Sequence, residues 1–251
     1  MRLTSRTPGP ATGRPVTFLH GFTQTSDSWL PVLGCLHGVN ATLIDAPGHG
    51  ENAGAAGNLW DTAAAVADAM PPGVLVGYSM GARMALHVAL IHPARVHSLV
   101  LVSGTPGIED SVERASRRES DNSLADRIEQ VGTRVFVDEW LALPMFAGLD
   151  DAAARRADRY ANPAAGLAGS LRLAGTGTQD DLWPRLDGLH CPVLIVTGSL
   201  DAKFTAIGAR MARMIPGAEQ SVVADAGHTV HLEQTQTFCS VVNGWLDRHG
   251  G

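Results

Sequence analysis

The stretch Leu75-Val76-Gly77-Tyr78-Ser79-Met80-Gly81 joins an apolar run to a helical segment that starts at about Ala82. A strand that ends in Gly-x-Ser-x-Gly and leads straight into a helix is typical of a nucleophile elbow, the sharp turn that exposes a reactive serine. Such a turn needs glycine at positions 77 and 81, because a Cβ there would collide with neighbouring backbone. An incidental serine in a glycine-rich loop is the less favoured interpretation. We therefore predict that Ser79 is the reactive centre.

Apolar runs typical of strands recur on both sides of this stretch, with helical segments between most of them. They occupy residues 16–19, 41–45, 98–102, 192–197 and 221–223. Strands that alternate with helices indicate a mostly parallel sheet covered on both faces. From about residue 106 to 184 the apolar runs give way to charged helical stretches. The sequence predicts an α/β core formed by residues 1–105 and 185–251, with residues 106–184 inserted as a helical lid.

Composition narrows the class of protein. A length of 251 residues suits one substantial core, and a formal net charge of −6 without a basic face argues against a nucleic-acid partner. No apolar run approaches the roughly 20 residues that span a bilayer, and residues 1–13 lack the apolar core of a signal peptide. The three scattered cysteines, Cys35, Cys191 and Cys239, make a disulfide framework unexpected. These features favour a reducing, cytoplasmic location.

A serine hydroxyl needs a base, and the base needs an acid that orients it. His228 follows the last predicted strand and Asp201 follows the one before it, so both are expected at the carboxyl edge of the sheet beside Ser79. The order Ser79, Asp201, His228 is the order of the α/β-hydrolase fold, which we predict for this chain. Asp225 is an alternative candidate for the acid, because it lies three residues before His228. Asp45 lies at the end of another predicted strand, and we expect a structural role for it.

Two backbone groups complete the expected site. Gly21 allows a sharp turn after the first predicted strand, which leaves the Phe22 N–H free to point towards Ser79. With the Met80 N–H it would form an oxyanion hole. We expect His20 to support this loop by packing and hydrogen bonding. His231 lies three residues after His228, but no second cluster of ligands accompanies it, so we predict neither a metal nor a cofactor.

Seven segments across residues 16–235 resemble one family within this fold, the 2-succinyl-6-hydroxy-2,4-cyclohexadiene-1-carboxylate (SHCHC) synthases of menaquinone biosynthesis. The matches most specific to this family are the arginine four residues after the serine, the 140–146 segment and the Asp-x-Lys-Phe motif. The segments are Leu19–Phe22, Asp45–Gly50, Gly77–Arg83, Arg118–Asp121, Trp140–Phe146, Asp201–Phe204 and Ala226–His228. Ala82 departs from the glycine common after the serine in the family.

The resemblance implies an enzyme that eliminates pyruvate from an enolpyruvyl cyclohexene dicarboxylate without water or metal. Ser79, activated by His228, would remove a ring proton before the C–O bond to the enolpyruvyl group breaks. The resemblance also implies that Arg127 contacts the substrate and that Trp140 faces the pocket from the lid.

A polycarboxylate substrate requires fixed cations in the pocket. Arg83 lies one helical turn beyond Ser79 on the same face, where a guanidinium could clamp a carboxylate in a bidentate fashion. A surface arginine that binds an acidic neighbour is the alternative. Tyr78 flanks the serine and either lines the site or packs beneath it; we include it among the substrate-binding residues.

Two other functions remain open at this point. A carboxylesterase or carbon–carbon bond hydrolase of the same fold would use the same catalytic groups on neutral substrates, for which Arg83 would matter little. A ligand-binding module that retains these groups would bind tightly without turnover. We expect a chain that is a monomer or a weak homo-oligomer, with a small-molecule substrate and no membrane or nucleic-acid partner.

Overall fold

The sheet has seven strands in the order β1-β3-β2-β4-β5-β6-β7, and every neighbouring pair is parallel except β1 with β3. The computed structural model describes residues 1–9 and 12–249. The strands are β1 (Ser5–Arg6), β2 (Arg14–Leu19), β3 (Val39–Ile44), β4 (Gly73–Tyr78), β5 (Val96–Val102), β6 (Val193–Gly198) and β7 (Glu219–Val223). This arrangement confirms the predicted mostly parallel α/β fold.

Ten α-helices connect and cover the strands in the described part of the chain. They are α1 (Leu30–Leu33), α2 (Leu59–Ala69), α3 (Met80–Ile91), α4 (Ser111–Leu141), α5 (Asp151–Ala154), α6 (Arg156–Tyr160), α7 (Ala164–Ala174), α8 (Ala202–Met214), α9 (Val230–Glu233) and α10 (Thr235–His249). Short 3-10 helices span Ser26–Trp29, Gly50–Asn52, Pro93–Arg95, Pro144–Phe146 and Trp183–Gly188. No helix among the described residues is long and apolar enough to cross a membrane.

Both faces of the central strands are buried, which explains why these strands read as unbroken apolar runs. In β4, Leu75 packs into a core formed with α2, α3 and α8. Val74 and Val76 point the other way, into a second core with α1, α9 and α10. The two cores fix the sheet so that the carboxyl ends of β4, β6 and β7 meet at one edge.

The segment between β5 and β6 is helical, as predicted for residues 106–184. Its long helix α4 breaks at Gly132, where the backbone has φ 78° and ψ 165°. Around the break, α4 packs on α7 through an apolar cluster of its own. Asn162 ties the segment to the core by accepting the Gly50 N–H at 2.9 Å and donating to the Thr23 carbonyl at 2.8 Å. Its action as a lid stays a prediction.

One detail differs from the sequence predictions. Cys35 and Cys239 form a disulfide across 204 residues, because the turn after α1 packs on α10. The prediction that the cysteines form no disulfides is therefore wrong at this pair. Cys191 is free. Residues 10–11 and 250–251 of the predicted core lie outside the described residues.

Candidate active site

Ser79 sits in the sharp turn between β4 and α3 in a backbone conformation that L-residues rarely adopt, with φ 51° and ψ −106°. The turn closes because its glycines leave no side chain in the way. A Cβ on Gly77 would lie 2.3 Å from the Gly81 oxygen, and one on Gly81 would lie 2.2 Å from the Leu19 oxygen. The Ser79 N–H donates to the Val102 carbonyl of β5 at 2.8 Å. These contacts maintain a strained turn that holds the hydroxyl at the sheet edge.

The structure brings the three residues of the predicted triad together. His228 Nε2 lies 3.1 Å from Ser79 Oγ, and His228 Nδ1 lies 2.7 Å from Asp201 Oδ2. Asp201 also accepts the Phe204 N–H at the start of α8, which fixes its carboxylate. Asp225 takes no part, because its left-handed backbone directs it into an exposed loop. With Asp201 on Nδ1, the neutral imidazole presents Nε2 as an acceptor to the serine hydroxyl.

The loop that carries His228 lies directly against the loop that carries Asp201. A Cβ on Gly198 would come within 2.2 Å of the carbonyl oxygens of Ala226 and Gly227. The Leu200 N–H donates to the Ala226 carbonyl at 2.9 Å. This backbone contact between neighbouring strand ends explains why residues 27 positions apart meet.

Tyr78 packs beneath the site and does not line it. Its ring is buried, and its hydroxyl lies 2.9 Å from Thr229 Oγ1. Burial raises the pKa of Tyr78. The ring also explains the glycine at position 21, where a Cβ would lie 2.5 Å from Tyr78 Cε1. The sequence could not separate these two placements, because both faces of β4 are apolar.

Phe22 and Met80, whose N–H groups are the predicted oxyanion donors, both line the cavity with Ser79. Neither N–H takes part in the turn and cap hydrogen bonds of the described backbone. His20 supports the Phe22 loop as expected: its Nδ1 lies 2.8 Å from the Gly21 carbonyl and its Nε2 accepts the Ala46 N–H at 3.0 Å. Asp45 is structural, since it accepts the Ser26 and Glu51 N–H groups.

A cavity of about 930 Å³ opens at Ser79 and His228 between the core and the helical insertion. Its wall carries four cationic side chains, Arg83, Arg117, Lys203 and Arg210. Arg117 binds Asp121 with Nε at 2.8 Å and Arg210 binds Glu109, so these two are already paired. A volume of this size accommodates a small polar molecule with several charged groups.

Arg83 differs from the other cations because it is buried and has no carboxylate partner among the described residues. It is 7% exposed, and its Nη1 donates to the Ala174 carbonyl of α7 at 2.7 Å. Burial lowers its pKa to about 10, Arg117 acts in the same direction, and Asp121 opposes them. The group therefore stays cationic at neutral pH. An unpaired buried cation is costly, and an anionic ligand would relieve that cost.

The insertion supplies one of its two predicted contacts. Trp140 lines the cavity, and its ring lies 5.4 Å from the Phe22 ring. Arg127 lies elsewhere: it is exposed and paired with Glu139 across the break in α4, so the structure does not place it among the lining residues. Arg117, ten residues earlier in α4, lines the cavity instead. One helix can present either arginine, and only the packing of α4 on α7 selects which.

His231 has no metal-binding surroundings. Both ring nitrogens are buried and have no hydrogen-bond partner in the described part of the chain, and the ring stacks on Trp29 with 4.4 Å between centroids. Burial lowers its pKa to about 3. Within residues 1–9 and 12–249, no three histidine, cysteine, aspartate or glutamate side chains gather as a metal ion would require.

Comparisons with known proteins agree with this architecture. The Alpha/beta hydrolase family matches residues 18–241. A protein of Bacillus subtilis (strain 168), provisionally named as an SHCHC synthase, is 38% identical over 95% of this chain and 92% of its own length. The SHCHC synthase of Enterobacter sp. (strain 638) is 32% identical over 93% of this chain and 92% of its own.

A solved structure extends the likeness to three dimensions. MenH from S. aureus superposes with a TM-score of 0.91 at 29% identity, over 99% of both chains. The match covers both the strands of the sheet and the helices between β5 and β6. The chain therefore belongs to the SHCHC synthase family, a group of lyases built on the α/β-hydrolase fold.

Proposed function

We propose that this protein is an SHCHC synthase of menaquinone biosynthesis, which eliminates pyruvate from 2-succinyl-5-enolpyruvyl-6-hydroxy-3-cyclohexene-1-carboxylate. The observation that carries the proposal is a buried Arg83, without a carboxylate partner among the described residues, in the same cavity as a hydroxyl–imidazole–carboxylate set. Membership of the synthase family supports it. The protein would act in the cytoplasm as a monomer or weak homo-oligomer, and its own residues would supply all the chemistry.

The first step is removal of the ring proton next to the succinyl ketone. The Ser79 hydroxyl gives its proton to His228 Nε2, which lies 3.1 Å away, and the oxygen takes the ring proton. Asp201 stabilises the imidazolium that forms, through the 2.7 Å contact at Nδ1.

The electron pair of the broken C–H bond then moves through the ring double bond and expels the enolpyruvyl oxygen. Two conjugated double bonds remain in the ring, and the leaving enolate takes up a proton to become pyruvate. Negative charge that develops on the ketone oxygen would be held by the N–H groups of Phe22 and Met80. No water is consumed, so atoms and charge balance with pyruvate and the diene as products.

Arg83 would bind one substrate carboxylate, with Arg117 and Lys203 further along the cavity wall. Because the guanidinium is already desolvated, a carboxylate that reaches it forms a charge-assisted pair in a low-dielectric site. Trp140 would cover the ring from the insertion, which we propose acts as a lid. Tyr78 would contribute by supporting the elbow from below, and Arg127 would act only if α4 rearranged.

The direct test follows pyruvate release from the enolpyruvyl substrate through a coupled lactate dehydrogenase assay. We expect turnover by the native chain and a loss of about 10²- to 10⁴-fold in Ser79→Ala, because the proton carrier is removed. The exposed Ser123→Ala, in α4, serves as the matched control and should retain full activity. Absence of pyruvate with the native protein would refute the proposal.

A carboxylesterase or carbon–carbon bond hydrolase is the second candidate, because the same hydroxyl and imidazole could support acyl transfer. Short p-nitrophenyl esters distinguish the two functions. A synthase should hydrolyse them poorly, since they offer no carboxylate to Arg83. Efficient ester turnover that is insensitive to Arg83→Gln would favour the hydrolase. Tight binding without turnover of either substrate would favour a binding module.

A further inference from the structure

The carboxylate of Glu233 accepts hydrogen bonds from the backbone on both sides of His228. Its Oε2 accepts the Gly227 N–H at 2.6 Å, and its Oε1 accepts the Thr229 N–H at 2.8 Å. Glu233 is the last residue of α9, the short helix that follows the histidine loop. Two donors that flank one residue and bind one carboxylate fix the direction in which the backbone presents that residue.

Glycines leave the space that this carboxylate occupies. A Cβ on Gly227 would lie 3.0 Å from Glu233 Oε2, and a Cβ on Gly148 would lie 2.1 Å from the same oxygen. Gly148 belongs to the helical insertion, in the turn after the short helix Pro144–Phe146. The carboxylate thus lies in a narrow slot between the histidine loop and the insertion, where a Cβ at Gly148 would displace it and a Cβ at Gly227 would be in tight contact with it.

We propose that Glu233 is a positioning residue that sets the direction of His228 towards Ser79. The inference rests on the proposed function, in which the imidazole takes the serine proton across 3.1 Å. A change in the backbone angle at residue 228 would alter both this distance and the contact with Asp201. A misplacement of about 1 Å at a reacting group can cost about 10²-fold in rate.

Glutamine cannot replace Glu233 in this role. Both backbone groups are donors, so both side-chain oxygens must accept, and an amide would place its own NH₂ against one of the N–H groups. Glu233→Gln keeps the size of the side chain and removes one acceptor. The matched control is Gln234→Ala: Gln234 Nε2 donates to the Asp225 carbonyl of the same loop at 3.2 Å but does not contact the two N–H groups.

The experiment measures kcat and KM for pyruvate release, together with the downfield proton NMR signal of the His228 Nδ1–H bonded to Asp201. Both are recorded well below the melting temperature of each variant. For Glu233→Gln we expect kcat to fall about 10- to 100-fold with KM within about twofold, and the NMR signal to broaden or vanish. Gln234→Ala should keep native kcat and the signal.

A purely structural role as a helix cap would lower the melting temperature alone. Unchanged kcat and an unchanged NMR signal in folded Glu233→Gln would therefore overturn the inference. If that variant does not fold, Gly148→Ala tests the same point, because its Cβ displaces the carboxylate and should reproduce the loss. If the native protein released no pyruvate, the proposed function would fail, while the NMR comparison would still decide the role of Glu233.

Discussion

At the scale of single residues, Arg83 is the side chain that we expect to separate a lyase acting on a polycarboxylate from a general hydrolase. Its guanidinium is buried in the wall of the cavity that contains Ser79, and it is bound only to the Ala174 carbonyl among the described residues. Such a group destabilises the empty protein and strengthens binding of an anion. We therefore expect Arg83 to lower the stability of the empty protein and to raise its affinity for an anionic substrate.

We expect Arg83→Gln to raise KM for the enolpyruvyl substrate about 10- to 100-fold, because one charge-assisted hydrogen bond is worth about 1.5–3 kcal/mol. Its melting temperature should stay level or rise, since a buried unpaired charge is removed. Arg248→Gln, which removes an exposed pair with Glu219 and a hydrogen bond to the Gly244 carbonyl outside the cavity lining, is the control. Steady-state kinetics and thermal melts check both, and an unchanged KM would contradict the role of Arg83.

His231 gives a pH-dependent prediction. Its pKa is about 3 in the folded protein against an ordinary value of 6.5, because burial disfavours the charged ring. As pH falls below about 6.5 the unfolded chain binds a proton that the folded chain cannot bind, so stability is lost between about pH 6.5 and 3. His231→Phe should remove this loss, a gain of about 2 kcal/mol at pH 5 relative to pH 8.

Urea unfolding of His231→Phe at both pH values measures this difference. His97→Phe is the control, since His97 is exposed on β5. An equal effect of His231→Phe at pH 5 and pH 8 would show that burial does not hold this ring neutral.

The sequence pattern predicted the positions of some site residues but not of others, and the difference has a physical reason. Ser79, Asp201 and His228 each follow a strand directly, and parallel strands bring their carboxyl ends to one edge, so local pattern was enough. Arg127 and Tyr78 were placed in the substrate site, yet helix packing turns Arg127 outward and burial holds Tyr78 below. The sequence did not single out Glu233, because its proposed role depends on hydrogen bonds to two backbone N–H groups that precede it in the chain.

At the scale of elements, the insertion contacts the core at a seam, a close backbone approach between Gly166 of α7 and Gly48. A Cβ on Gly166 of α7 would lie 2.3 Å from the Gly48 oxygen, and a Cβ on Gly48 would lie equally close to the Gly166 oxygen. The helical nature of residues 106–184 was predictable from the loss of apolar runs. The seam was not, because it joins glycines over 100 residues apart, each ordinary in its local sequence.

Gly166→Ala should separate this seam, lowering the melting temperature and the rate of pyruvate release. Gly169→Ala lies three residues along the same helix, where a Cβ meets nothing within 4 Å. There alanine should stabilise the helix by up to about 1 kcal/mol and leave activity unchanged. Thermal melts and the coupled assay compare the two. Equal behaviour of the two variants would rule out a close seam.

At the scale of the whole molecule, the disulfide between Cys35 and Cys239 ties the turn after α1 to the closing helix α10. We expect reduction to lower the free energy of unfolding by about 2–4 kcal/mol, because the bond constrains a long loop of the unfolded chain. Cys191→Ser should not change this response. Alkylation of denatured protein followed by mass spectrometry counts the thiols. Three labelled cysteines before reduction would show that the bond does not form.

We propose that one cavity uses Ser79 as a proton carrier to drive an elimination. The most direct measurement is the ratio of pyruvate released to conjugated diene formed, followed together by the coupled assay and by ultraviolet absorbance. We expect the native protein to form one diene for each pyruvate released. In Ser79→Ala, both products should form far more slowly than in the native protein. Pyruvate without diene, or full activity in Ser79→Ala, would contradict this mechanism.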